Sequence, residues 1–570
     1  MKSEEMLQQG GKVAGWADDR LGIAHWMSKT LDKIFPDHWS FMMGEIALYS
    51  FIILILTGIY LTFFFNPSLA HHIYNGPYKP LQGQVVSDAY QSAVNISLYV
   101  RGGLVIRQMH HWSADIFIAA IVAHMCRIFF TGAFRRPREM NWMIGVMLLF
   151  LSIVNGYIGY SLPDDLISGT GVRIMFSVIE SIPVVGTYFA FFFFGGNFPG
   201  TAYDYRFYIV HVFLLPAIIA GLLGAHLALL WHQKHTQFPG GGATEKNVVG
   251  SPVWPVFAFK TLGLQLMVWG IIAALGGLAQ INPIWLYGPY IPYKVPYLVQ
   301  PDWYMGWLDG ALRLMPSWEV NMTGHMIPNL FFPAIFLPGV TTMFLLFWPM
   351  LEAKFTKENR HSHHLLDRPR DRPLRTAIGV AVISFYGVLF LGSATDLLAN
   401  FFAVSLNAVL WSLRVILVLA PPVAGYLAWW LCKETQHLPT AGERHRPAMI
   451  IRSSTGGYLL RESDERPGDE EVELAPEPVP SVSLGGDGGP GSRGEAVPEE
   501  VLVGSGEVGE EGAETGGVVQ ALRGPAPRPS LRELLRPGSG GNGGLGSLFP
   551  RRSRPRGRDG NGETPSSNGG

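Results

Sequence analysis

The chain has 570 residues, of which 48% are hydrophobic and only 15% charged, against about 25% charged in an ordinary soluble protein. Its formal net charge of −1 gives no reason to expect a nucleic-acid partner. The two cysteines, Cys126 and Cys432, rule out a disulfide framework, a CxxCH haem attachment and a cysteine-held iron–sulfur cluster within this chain.

The apolar residues fall in long runs, so the expected class is an all-α polytopic membrane protein. The first 40 residues are charged and are not a cleavable signal peptide. Within them, 18–36 ("DDRLGIAHWMSKTLDKIFP") reads as an amphipathic surface helix. Eight runs then reach the roughly 20 residues needed to cross a bilayer. They lie near 41–65, 112–132, 142–162, 207–231, 257–279, 328–350, 375–396 and 402–431.

Most membrane-proximal Lys and Arg stand in three connections, 132–139 ("GAFRRPRE"), 232–246 and 352–375. All three fall on one side, which the positive-inside rule makes cytoplasmic. Both termini are then cytoplasmic in a cell-membrane protein. After about residue 440 the composition turns to Gly, Pro, Ser, Glu and Arg. Such a segment buries too little apolar surface to offset its ordering entropy, so a disordered tail is expected, with "LRELLR" (531–536) as a short docking element. The expected regions are an N-terminal segment at 1–40, a four-helix bundle at 41–250, a second helical region at 251–435 and the tail at 436–570.

Histidines inside the spans are the strongest chemical signal. His110 and His124 are 14 positions apart in the second span, which returns to within about 40° of one helix face after about 21 Å of rise. His111 misses that face by about 140° and should not share the role. In the fourth span His211 and His226 are 15 apart, within about 60° of one face. Both spans run from outside to inside, so His110 and His211 share an outer level, and His124 and His226 an inner one. Two imidazole pairs at two depths suit two bis-histidine haem irons. Hydrogen-bonded histidines or a proton path would account for one such residue, but not for four in this arrangement.

Glycines and arginines extend the pattern. Gly44 and Gly58 in the first span, and Gly145 and Gly159 in the third, are each 14 apart; glycine lets a backbone approach a flat macrocycle. Arg107 and Arg206 lie just outside the outer pair, and Arg127 one turn inward of His124. They are candidates for pairing with anionic haem propionates, with snorkelling to the interface as the ordinary alternative.

At this point the residues resemble a known family. The stretch 107–145, "GYSLPDD" (159–165), "YRFYIVHVFLLP" (205–216) and "PDWY" (301–304) resemble the cytochrome b family of bc1 and b6f complexes. The similarity is strong over about residues 20–350 and continues by layout to about 435. The single chain of eight spans, the PDWY variant and the polar tail resemble the actinobacterial form. The resemblance implies a quinol–cytochrome c oxidoreductase subunit with two non-covalent b haems, the outer iron held by His110 and His211 and the inner by His124 and His226. It implies quinol oxidation at an outer site and quinone reduction at an inner one. It also implies a Rieske iron–sulfur partner, a cytochrome c subunit, association with cytochrome c oxidase in a supercomplex, a homodimeric complex and menaquinone as the quinone.

By the same resemblance Asp302 and Tyr304 are outer-site residues. Asp302 is a candidate proton acceptor, one methylene shorter than the usual Glu, with turn capping as the ordinary alternative. Asp309 stands where mitochondrial relatives have an aromatic and is a candidate second carboxylate. At the inner site Lys260 matches the family's lysine, but Thr261 follows it where many members have Asp. His232 stands one position beyond the family's usual histidine, which is Trp231 here. Two other readings are weaker. A ferric-reductase type of dihaem protein would need a flavin domain, which the Gly/Pro-rich tail cannot form. A transporter with a histidine proton relay predicts inverted repeats and leaves the paired spacings unexplained.

Overall fold

The computed structural model describes residues 15–16, 18–22, 30–200, 202–322, 324–438, 448–452 and 458–462. Eight helices among them are long and apolar enough to cross a membrane. In chain order these are α1 (Met42–Thr62), α3 (Gly103–Thr131), α4 (Glu139–Ser161), α7 (Tyr203–Gln233), α8 (Val253–Leu278), α11 (Phe332–Thr356), α12 (Pro373–Ser393) and α14 (Leu406–Thr435). Their outer faces carry Leu56, Ile59, Phe213, Leu266, Met267 and Val418 exposed, as a lipid-facing surface requires.

α1 packs along α3, α4 along α7, and α8 against both α1 and α3. The bundle core between them is built from Phe51, Phe117, Ile121, Met125, Trp142, Val146 and Ile219. A second group, α12 with α14 and α10 (Trp303–Leu314), closes over Leu314, Val388, Leu389 and Leu413.

The connections at one end carry their own structure. Between α1 and α3, strands β2 (His71–Ile73) and β3 (Val85–Ser87) pair antiparallel and lead into α2 (Asp88–Leu98), which Ser87 caps by accepting from the Tyr90 N–H. Between α4 and α7 lie α5 (Leu166–Glu180) and α6 (Gly186–Phe194). Asp165 starts α5 with a capping box, accepting from the Ile167 and Ser168 N–H groups. Between α8 and α11 lie α9 (Ile284–Tyr287), α10 and the hairpin β5–β6 (Val320–Met322, His325–Ile327).

At the other end the basic connections form an ionic lock. Arg375 is 4% exposed and bonds both Glu352 (2.8 Å) and Asp367 (2.8 Å). Asp367 also pairs with Arg135 at 3.1 Å. Arg138 donates to the carbonyls of His363 (2.6 Å), Gln233 and Lys234.

Two expectations are corrected. The second span starts at Gly103, nine residues before the predicted 112. The amphipathic helix expected over 18–36 does not run through: residues 18–21 and 30–31 are helical and 23–29 lie outside the described residues. Ile34–Phe35 is a strand, β1, paired with Ser251–Pro252 (β4); Pro36 disfavours helix in the residue before it. The expectation of a disordered tail falls mostly outside the described residues, as does "LRELLR". Its described part is a hairpin, Ala448–Arg452 paired with Tyr458–Glu462.

Candidate functional site

The four predicted histidines form two facing pairs. The imidazole centroids of His110 and His211 are 6.2 Å apart with planes at 76°, and those of His124 and His226 are 6.5 Å apart at 72°. Both gaps admit one metal ion bound to both rings, an imidazole–metal bond being about 2 Å. Among the described residues no group of three or more His, Cys, Asp or Glu could hold a bare ion. A lone imidazole pair fits a cofactor that brings its own remaining donors to the metal, as a haem does.

Helix α7 reaches this geometry through a π turn at Val210–Leu214, which contains His211. The turn takes up one extra residue. His211 and His226, 15 apart in sequence, therefore stand in the phase of a 14-residue spacing and oppose His110 and His124.

Each predicted glycine lies against one of these rings. A Cβ at Gly44 would come 3.2 Å from His124 Cε1, at Gly58 3.3 Å from His110 Cε1, and at Gly145 3.7 Å from His226 Cε1; at Gly159 it would overlap the His211 ring. The glycines thus leave room for the four imidazoles of these pairs. The first and third spans act as backstops that hold the rings edge-on.

Second contacts orient the rings of one pair. The Thr57 hydroxyl donates to the Ile53 carbonyl (2.6 Å), so His110 Nδ1 donates to Thr57 Oγ1 (2.9 Å). His211 Nδ1 donates to the Asn155 carbonyl (2.9 Å). Both bonds leave Nε2 with its lone pair toward the gap. In the other pair, His124 Nδ1 is buried without a hydrogen-bond partner among the described residues, and the Asn141 carbonyl faces His226.

The arginines divide. Arg127 lies over the Phe41 ring (4.3 Å) with Nε and Nη2 buried, and Arg107 donates to the Asn282 carbonyl (3.0 Å); Arg127 Nε and Nη2 and Arg107 Nε have no hydrogen-bond partner among the described residues. These orphaned guanidinium nitrogens suit anionic groups. Arg206 instead donates to the carbonyls of Phe191 and Phe192 at the end of α6.

The PDWY segment docks beside His110. Asp302 Oδ1 accepts from His111 Nε2 (2.8 Å), and Oδ2 accepts from the Tyr304 hydroxyl (3.1 Å). His111 is indeed no partner of His211; its role as the Asp302 contact was not read from the sequence. Tyr304 is 3% exposed, and burial followed by the Asp302 charge holds its phenol well above the usual range, so it stays a donor. Gly156 makes room for it, since a Cβ there would meet the Tyr304 oxygen at 2.8 Å. Asp309 does not turn to Asp302. It pairs with Arg313 (2.9 Å), which also holds Asp396 (2.9 Å). The carboxylate on which the Asp302 charge acts is Asp115, on α3.

At the opposite end Lys260 pairs with Asp37, which also accepts from Ser251 Oγ (3.2 Å). The Lys260 ammonium holds the Asp37 carboxyl below its ordinary value. His232 is exposed. His235, three residues on, packs against Phe35 (4.5 Å) and Phe41 (6.0 Å), and burial, then the Arg127 charge, lower it to about 3.

Comparison with known proteins gives the family. Residues 115–289 match the family described as cytochrome b(N-terminal)/b6/petB. The cytochrome bc1 complex cytochrome b subunit of Streptomyces coelicolor is 52% identical over 461 residues, 80% of this chain and 84% of that one. Those of Corynebacterium diphtheriae (48% over 506 residues, 87% and 93%) and Mycobacterium tuberculosis (48% over 476 residues, 82% and 86%) are similarly related. A chain of a hyperthermophilic respiratory Complex III superposes with TM-score 0.55 at 21% identity, covering 73% of this chain and 99% of that one, and supports the fold. The chain belongs to the cytochrome b subunits of the cytochrome bc1 complex, the quinol–cytochrome c oxidoreductase of respiratory electron transport.

Proposed function

We propose that this subunit oxidises quinol at a site beside His111, Asp302 and Tyr304 and reduces quinone at a second site near Lys260. Two b haems, held by His110 with His211 and by His124 with His226, would connect the sites. The observation that carries the reading is the double imidazole pair, each ring backed by a glycine at the predicted position.

The chain's own residues have definable tasks. Thr57 and Asn155 fix the His110 and His211 tautomers. Arg107 and Arg127 offer unpartnered guanidinium nitrogens to the haem propionates. Bound haem supplies one-electron redox chemistry. Asp302, with His111 and Tyr304 on its two oxygens, receives a proton from quinol. At the other site Lys260, paired with Asp37, supplies a proton, and the half-buried His235, held neutral, hydrogen-bonds the quinone; His232, exposed, serves at most at its mouth.

A quinol carries two electrons and each haem takes one, so the second electron needs another acceptor. With two cysteines far apart, this chain holds no iron–sulfur cluster, and a Rieske partner fills that role. A cytochrome c subunit, a homodimeric assembly, a supercomplex with cytochrome c oxidase and menaquinone follow from the actinobacterial likeness. The chain is integral to the membrane. The positive-inside rule sets the His124 end, and both termini, toward the cytoplasm.

A reduced-minus-oxidised spectrum of the purified complex tests this. Two b-type components are expected; His110→Ala or His211→Ala should remove the same one, and His124→Ala or His226→Ala the other. Loss of neither, or pairing of His110 with His226, would reject the assignment.

A further inference from the structure

We propose that Asp115 is a second proton-accepting carboxylate of the quinol-oxidising site. The proposal rests on the quinol-site reading under Proposed function and names a group that the site needs.

Oxidation of one quinol breaks two O–H bonds and releases two protons. The two electrons leave to the one-electron acceptors that quinol–cytochrome c oxidoreductase activity already requires. Asp302 can take one proton, but both its oxygens are already engaged, Oδ1 by His111 and Oδ2 by Tyr304. It has little capacity for a second.

Asp115 stands one helical turn beyond His111 on α3, on the same side of the helix. Its Oδ1 is buried and has no hydrogen-bond partner among the described residues. Its charge acts on His111 and on Tyr304, the Asp302 charge acts on it, and the Trp303 indole N–H donates to its carboxylate, leaving Oδ1 free. The Tyr160 ring closes the other side of His111, centroids 6.3 Å apart. Asp115 therefore shares one enclosure with the PDWY segment.

A buried ionised oxygen without a donor is costly, and protonation removes the cost. The oxygen left bare in this enclosure is suited to receive a proton when quinol presents a hydroxyl. In the step proposed, the quinol O–H bond breaks, the proton bonds to Asp115 Oδ1, and the carboxylate becomes a neutral acid that later releases the proton to water. Asp309, the second carboxylate expected from the sequence, is engaged by the Arg313 charge, whereas no cation pairs with Asp115 among the described residues.

The test uses the purified full complex carrying Asp115→Asn, Asp115→Glu or Asp302→Asn. Asp115→Asn keeps the side-chain volume and cannot accept the proton. Its quinol-oxidation kcat should fall on the order of 100-fold, the usual worth of a proton acceptor, with KM unchanged within about twofold. The redox-induced infrared difference spectrum should lose one carboxylic-acid band. Asp115→Glu should restore most of the rate and a shifted band. Wild-type turnover in Asp115→Asn, or an unchanged carboxyl band, would overturn the proposal while a slow Asp302→Asn left the site reading standing. Wild-type turnover in Asp302→Asn would overturn both. Should Asp115→Asn lose a haem band and so misassemble, Asp115→Glu decides: a fully assembled glutamate variant without its own carboxyl band counts against the proposal.

Discussion

Replacing the four ring-facing glycines by alanine, one at a time, turns the bundle geometry into a graded series. At Gly145 the new methyl would sit 3.7 Å from His226 Cε1, an ordinary van der Waals contact, and nothing has to move. At Gly58 and Gly44 the methyl would sit 3.3 and 3.2 Å from the His110 and His124 rings, so each imidazole must yield by a few tenths of an ångström. A side chain pushed about 30° off its rotamer costs on the order of 0.5–1.5 kcal/mol, up to about a tenfold weakening of haem retention. At Gly159 the methyl overlaps the His211 ring. There the ring or the helix has to shift, and overpacking of this kind costs about 1–3 kcal/mol or more. The assay is haem content and redox titration by difference spectroscopy. The expected order of loss is Gly159→Ala greatest, Gly44→Ala and Gly58→Ala intermediate, Gly145→Ala none. Each variant should affect only the haem whose ligand its methyl meets. A Gly159→Ala complex with both haems intact, beside a Gly145→Ala complex that has lost one, would refute the reasoning.

Two further outcomes follow from groups away from the haems. Arg375→Ala leaves Glu352 and part of Asp367 buried without a countercharge, which costs about 3–5 kcal/mol. The detergent-solubilised complex should melt at a clearly lower temperature, and an unchanged melting curve would show the lock to be ornamental. Asp164 sits between α4 and α5; burial first, and the adjacent Asp165 charge, raise its carboxyl from 3.8 to about 6. The folded state then binds this proton more tightly than the unfolded one, so stability is highest below about pH 4, falls as pH rises through about 6, and is level above. Two pKa units correspond to about 3 kcal/mol. Asp164→Asn cannot ionise and should flatten that decline, seen as a relative gain in melting temperature at neutral pH. Identical pH slopes in wild type and variant would contradict the assignment.

The spans were legible because an unbroken apolar run of bilayer length is rarely anything but a membrane-crossing helix. Their ends were less so. Helix α3 begins at Gly103 although the composition of its first turns suggests a loop: Arg107 and Gln108 reach the carbonyls of Asn282 and Ile281, His110 reaches Thr57 and His111 reaches Asp302. The two histidine pairs could be anticipated because their signal is periodic within single helices. What escaped was contact across the chain: His111 meets Asp302 at a separation of 191 residues, and Lys260 meets Asp37 at 223. Counting on from the helix points to His232, but α7 ends at Gln233. Beyond that point the helical phase no longer applies, and it is His235 that turns inward.

The π turn around His211 bears on how such chains diverge. A helix with one residue more than its ligand geometry needs can lose that residue at the turn, close into regular α-helix, and leave both histidines where they were. Insertion at the same point reverses the change. Chains with ligands 14 apart and chains with ligands 15 apart can therefore build one bundle. In this helix the number of residues between ligands is free to drift by one in evolution, while the angle between their rings is not.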